Sequence, residues 1–115
     1  MTDFFVTLSG ECSPWPSKAD LVRHLRAGGL RVSEDEYSVR VEGETRFIFR
    51  YCCGDCGDAS MVEADAGSAE PLLREAKSVS SVLALAGIRH QFDVYDSNHD
   101  FIAYLHHDWP SEREA

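Results

Sequence analysis

The stretch Tyr37-Ser38-Val39-Arg40-Val41-Glu42-Gly43-Glu44-Thr45-Arg46-Phe47-Ile48-Phe49-Arg50-Tyr51 decides the fold class. Tyr37, Val39 and Val41 alternate with Ser38, Arg40 and Glu42. On the return, Phe47, Phe49 and Tyr51 alternate with Ile48 and Arg50. Successive side chains of a strand point to opposite faces, so a period of two predicts strand. Gly43 lies where the chain must turn, and residues 37–51 therefore predict an antiparallel hairpin.

Beyond the hairpin comes Tyr51-Cys52-Cys53-Gly54-Asp55-Cys56-Gly57, which holds three of the four cysteines. Residues 59–64 read as a further strand, so the cysteines fall at a hairpin tip. Residues 65–69 are expected to be a loop. A second helix is predicted from Glu70-Pro71, because proline suits a first turn. Leu72, Ala76, Val79, Leu83 and Ala86 recur at helical spacing. Ser78, Ser80 and Ser81 weaken its middle and would tolerate a kink. Gly87-Ile88 predicts a Schellman ending. Residues 91–95 and 101–106, joined by Asp96-Ser97-Asn98-His99-Asp100, predict a second hairpin. The tail from Pro110 is polar and expected to fray.

Working back from residue 37, residues 3–9 are β-branched and aromatic and predict a strand. Cys12-Ser13-Pro14-Trp15-Pro16 forbids regular structure and predicts an extended turn, with Trp15 as a lid on the core. Ser17 and Asp20 fit a capping box. Leu21, Val22 and Leu25 form an apolar stripe, and Gly28-Gly29 ends that first helix.

The order is then strand, helix, three strands, helix, two strands, in one domain over residues 1–115. This predicts an α+β two-layer sandwich: a mainly antiparallel sheet with both helices on one face. A ferredoxin-like β-α-β-β-α-β core with added strands fits the order. The second sheet face would stay open to a partner or to a second copy.

Composition narrows the function classes. Hydrophobic residues make up 43% of the chain and charged residues 27%, which is a globular balance. No apolar run approaches the roughly 20 residues of a membrane span. The N-terminus lacks the pattern of a signal peptide, so a cytoplasmic location is expected, with thiols reduced or ligating a metal. The formal net charge is -9. Nucleic-acid binders need the opposite sign, whereas an acidic surface steers a basic protein partner.

Cys53-Gly54-Asp55-Cys56-Gly57 resembles the C-x-x-C-G knuckle of zinc ribbons and rubredoxin-like sites. Two thiolates at this spacing can face one tetrahedral ion, and the glycines let backbone N–H groups turn toward sulfur. The resemblance implies zinc on Cys53 and Cys56. The chain holds no second C-x-x-C, so a closed site would recruit Cys52 or Cys12 and one of His24, His90, His99, His106 or His107. A thioredoxin-type role is disfavoured, because no helix is predicted after Cys56 and Asp55 and Asp58 oppose a thiolate.

Asp96-Ser97-Asn98-His99-Asp100 begins like a calcium loop but has Phe101 at position six and His107 at position twelve. It reads as a turn. His106 and His107 fall on opposite faces of a strand and are not expected to share an ion. A Cys–His pair, Cys53 or Cys56 with His106 or His99, stays open.

These readings favour a small acidic protein-interaction domain without catalysis, of inhibitor, immunity or regulatory type. A homodimer through an open sheet face or edge is compatible with it. The alternatives are a metal-binding protein using Cys53, Cys56 and Cys52, or a thiol enzyme or sensor.

Overall fold

A computed structural model describes residues 6–51 and 61–110. Among them the elements are β1 (Val6–Cys12), α1 (Lys18–Ala27), β2 (Val32–Asp35), β3 (Ser38–Glu42), β4 (Arg46–Arg50), β5 (Met61–Ala66), α2 (Ala69–Leu85), β6 (His90–Tyr95) and β7 (Phe101–His107). One antiparallel sheet runs in the order β2-β3-β4-β5-β1-β6-β7. The strands β4-β5-β1-β6 with α1 and α2 have the ferredoxin-like order. The β2–β3 pair extends one side and β7 the other. The expected α+β sandwich is the observed class.

Local chemistry explains the helix ends. The Asp20 amide donates to Ser17 Oγ at 3.1 Å, the predicted cap of α1. Gly87 has φ 75°, and the amides of Gly87 and Ile88 donate to the carbonyls of Ala84 and Leu83, a complete Schellman motif. The end of α1 repeats it, with Gly29 and Leu30 donating to Arg26 and Leu25. The helix α2 is continuous through its serines.

Register then sets the core. Val39 opposes Phe49, Val41 opposes Phe47, Phe47 opposes Ala64 and Phe49 opposes Val62. These residues are buried together with Leu21, Leu25, Leu72, Ala76, Val79 and Leu83 of the helices. Removing this apolar area from water is the main favourable term, at roughly 25 cal/mol per Å². Trp15 packs edge-on to Tyr51 at 5.7 Å between ring centres, and as a lid on the core it matches expectation.

Gly10 has a role the sequence did not announce. A Cβ there would overlap the Gln91 carbonyl oxygen and lie 2.6 Å from the Phe92 ring. The ring of Phe92 therefore occupies the space a side chain at residue 10 would need. That close approach lets β1 continue to Cys12, where sequence alone ended the strand at residue 9.

Two further boundaries shift. Strand β5 runs to Ala66, because Arg46 pairs with Asp65 and Val6 with Ala66 where a loop was expected. Strand β2 was not expected. Its sequence, Val-Ser-Glu-Asp, has one apolar residue, and its conformation comes from pairing with β3.

The sheet face away from the helices is mixed, with Ile48, Met61, Tyr95 and Tyr104 among polar residues. It carries Thr7, Ser9, Glu11, Arg40, Arg46, Arg50, Glu63 and Asp65, with Arg50–Glu63 at 2.8 Å and Arg46–Asp65 at 3.2 Å. Cross-strand ion pairs over a solvated face are what an antiparallel sheet covered on one side produces.

Candidate functional site

Cys52, Cys53 and Cys56, the predicted zinc ligands, lie outside the described residues. Their flanks are described. Arg50 pairs with Met61, Gly10 with Val62 and Phe92, and Cys12 with His90, which in turn pairs with His107. The topology thus brings Tyr51, Met61, Cys12, His90 and His107 to one end of the sheet. His99 sits in the β6–β7 turn, at the other end of β6.

At the first end a row of Cys12, His90 and His107 crosses β1, β6 and β7, with Ser80 of α2 above it. The His90 Nδ1 lies 2.9 Å from the Ile88 carbonyl oxygen, so that nitrogen carries the proton. Nε2 is then an acceptor, and Ser80 Oγ–H donates to it at 2.7 Å. His90 has no exposed surface. Burial lowers its pKa from the ordinary 6.5; the Ile88 bond partly offsets this, while the charges of His107 and His106 add to the lowering. It is a neutral imidazole with both nitrogens engaged.

Cys12 is buried, and burial pushes its thiol up to about 12, with Glu11 adding to the rise. A neutral imidazole opposite a thiol held protonated is the reverse of the activated thiolate–imidazolium arrangement of a nucleophilic site. Binding a metal at His90 would break one of its two hydrogen bonds. Among the described residues there is no group of three or more His, Cys, Asp or Glu suited to a metal ion. Tyr51, at the same end, donates its hydroxyl to the Pro16 carbonyl at 2.9 Å. Burial first, then Cys12 and Asp20, raises its pKa.

The remaining histidines divide as their strand positions predict. His107 stacks on His90 with centres 6.1 Å apart, and His106 stacks on Tyr104 at 4.8 Å on the opposite face. The calcium-like stretch is a turn: Asp96 Oδ1 accepts from the amides of Asn98 at 2.8 Å and Asp100 at 3.0 Å. A cleft of about 190 Å³ between the helices is lined by His24, Ala27, Gly28, Val82, Leu85 and Ala86, without a carboxylate or thiol.

The surface is divided more sharply than the interior. Ion pairs join Arg23 to Asp20, Arg74 to Glu44 and Glu70, and Arg89 to Asp108, besides the two on the open face. Glu34, Asp35, Glu36, Asp96 and Asp100 take part in none of the ion pairs of the described residues. The first three belong to β2 and its turn, at one margin of the sheet. Asp96 and Asp100 belong to the turn before β7, at the other.

Sequence reasoning missed the Ser80–His90 pair, which joins the middle of α2 to the start of β6. Ser80 signalled only a weak helix centre. It also missed the exposed side chains of β7, because hydrophobic strands read alike whether they are central or marginal. No helix among the described residues is long and apolar enough to cross a membrane. No family model, curated protein or solved structure matches this chain.

Proposed function

We propose that this chain is a non-catalytic, cytoplasmic protein-binding module that recognises a basic protein partner. The observation that carries the reading is the sorting of charge. Arg23, Arg46, Arg50, Arg74 and Arg89 pair with the chain's own carboxylates, whereas the exposed Glu34, Asp35, Glu36 and Asp100, at the two margins of the sheet, take part in none of the ion pairs of the described residues. Surplus carboxylates attract a cationic partner and speed its encounter. The locked state of Cys12 and His90 supports a binding role over chemistry at that end. The test uses the immobilised full chain to capture partners, each then purified and titrated back. Basic proteins should bind, at least about tenfold more weakly when salt is raised from 0.05 to 0.5 M. Turnover of a small substrate, or partners that are acidic and indifferent to salt, would overturn the reading.

A second reading places zinc on Cys53 and Cys56, with Cys52 as a further ligand, and rests on their knuckle spacing. Metal analysis of protein purified under reducing conditions separates the two. The binding reading expects less than about half an equivalent of zinc, and a structural site expects close to one.

A further inference from the structure

We propose that the basic partner anchors by a lysine whose stem lies in the cleft between the ends of α1 and α2 and whose ammonium meets the carbonyl ends of both helices. This rests on the binding reading above and names the partner's anchoring group. The cleft measures about 190 Å³. Its walls are His24, Ala27 and Gly28 from the end of α1 and Val82, Leu85 and Ala86 from the end of α2.

Two helices thus bring their C-terminal turns to one cavity, and each ends in a Schellman motif. The amides of Gly29 and Leu30 satisfy the carbonyls of Arg26 and Leu25, and those of Gly87 and Ile88 satisfy the carbonyls of Ala84 and Leu83. Each motif passes over one carbonyl, that of Ala27 in α1 and that of Leu85 in α2. Among the described residues neither accepts a hydrogen bond, and both residues line the cleft. Open carbonyls carry the partial negative charge of a helix C-terminus, which favours a cation.

The walls select the rest of the group. Leu85 is 90% exposed, an apolar side chain that the core leaves bare, and Ala27, Val82 and Ala86 continue that surface. A lysine stem covers such surface while its ammonium stays at the polar rim. A carboxylate would meet carbonyls of its own sign, and a wholly apolar side chain would leave those carbonyls unpaired. The chain's own cations are engaged elsewhere. The last turn of α2 has no basic residue, Arg26 donates to the Val32 carbonyl, and Arg23 donates to Asp20.

The experiment is an amide NMR titration of the full chain at pH 7.5 with n-butylammonium, with n-butanol as its neutral counterpart and pentanoate as its anionic one. Butylammonium should shift the amides of Gly28, Gly29 and Gly87 saturably, and bind at least about threefold more tightly than butanol. Pentanoate should leave them unmoved. Leu85→Ser, on an exposed side chain, should weaken butylammonium by about threefold or more. Ala27→Lys, which supplies an ammonium from within the chain, should abolish the shifts. Equal binding of butanol and butylammonium would overturn the inference, since it marks an apolar cleft without preference for a cation. So would shifts confined to residues 34–36 and 96–100. If a captured basic partner binds Leu85→Ser and Ala27→Lys as tightly as the parent chain, the binding module stands and the cleft anchor falls. If no basic partner binds the parent chain, the module itself falls.

Discussion

The two margins of this sheet manage the same problem in opposite ways. Strand β2 is short and acidic, and it is tied down from above. Lys18 Nζ donates to the carbonyls of Asp35 and Glu36. The neighbouring β3–β4 turn is held to α2, where the Glu75 carboxylate accepts from the Glu44 amide and from the Thr45 hydroxyl. Strand β7 is longer, carries no carboxylate or amine, and shows aromatic and aliphatic side chains to solvent. Charge on a marginal strand discourages further pairing, and its absence permits it. One helix serves both sides. Glu75 of α2 fastens the β3–β4 turn, and Ser80, five residues on, fastens His90 at the start of β6. Polar contacts from α2 thus hold the elements just inside each margin, the β3–β4 turn and β6, while β2 is held by Lys18 of α1.

The largest effect is expected at Gly10. Gly10→Ala drives a methyl into Phe92 and the Gln91 carbonyl, and should cost about 2–3 kcal/mol in urea denaturation by prying β6 and β7 from β1. A loss well under about 1 kcal/mol would show that the ring of Phe92 moves freely and that the β6–β7 half is not seated on Gly10. Glu75→Ala tests the β3–β4 turn on the opposite side of the sheet. It leaves the buried Thr45 hydroxyl without its acceptor and should cost about 1–2 kcal/mol. Ser80→Ala should cost about 1 kcal/mol, because the His90 Nε2 loses its donor. If only one of these two helix variants is destabilised, α2 does not hold both the β3–β4 turn and β6.

A pH series sharpens the contrast further. His90 has a lowered pKa in the folded chain, so the unfolded chain binds more protons below the ordinary 6.5. Stability is therefore fully present above that value and declines as pH falls through and below it. The groups facing His90 are Ser80 from α2, Cys12 from β1 and His107 of β7, and the charge of His106 acts from the opposite face. Melting between about pH 7.5 and pH 5.5 should show the decline, and His90→Gln should flatten it. Equal slopes in both chains would remove His90 from the account. The smallest effect is expected at Ile102→Lys, within about 0.5 kcal/mol of the parent in stability.

Much of the secondary structure was legible because its causes are local. Ser17 with Asp20, Gly87 with Ile88, and the alternation of Val39, Val41, Phe47 and Phe49 each act within a few residues. The elements they mark appear where expected. Strand β2 was not legible, since Glu34 and Asp35 have no strand preference of their own. The extension of β1 to Cys12 was not legible either, because it depends on Phe92, more than eighty residues away.

The candidate site divides along the same line. That His106 and His107 would part to opposite faces followed from strand geometry alone. That Cys12 and His90 stand opposite each other, protonated and neutral respectively, depended on burial and on Ser80, which only the packed chain brings together. An acidic α+β chain with two capped helices and an antiparallel hairpin follows from composition and from neighbouring residues, because net charge is a sum over the chain and caps and periodicity act within a few positions. Which strands lie at the margins, and which carboxylates stand outside the ion pairs of the described residues, follow from the packed chain. Those outcomes are set by pairing between distant segments, where the entropy of closing long loops is repaid by a shared core.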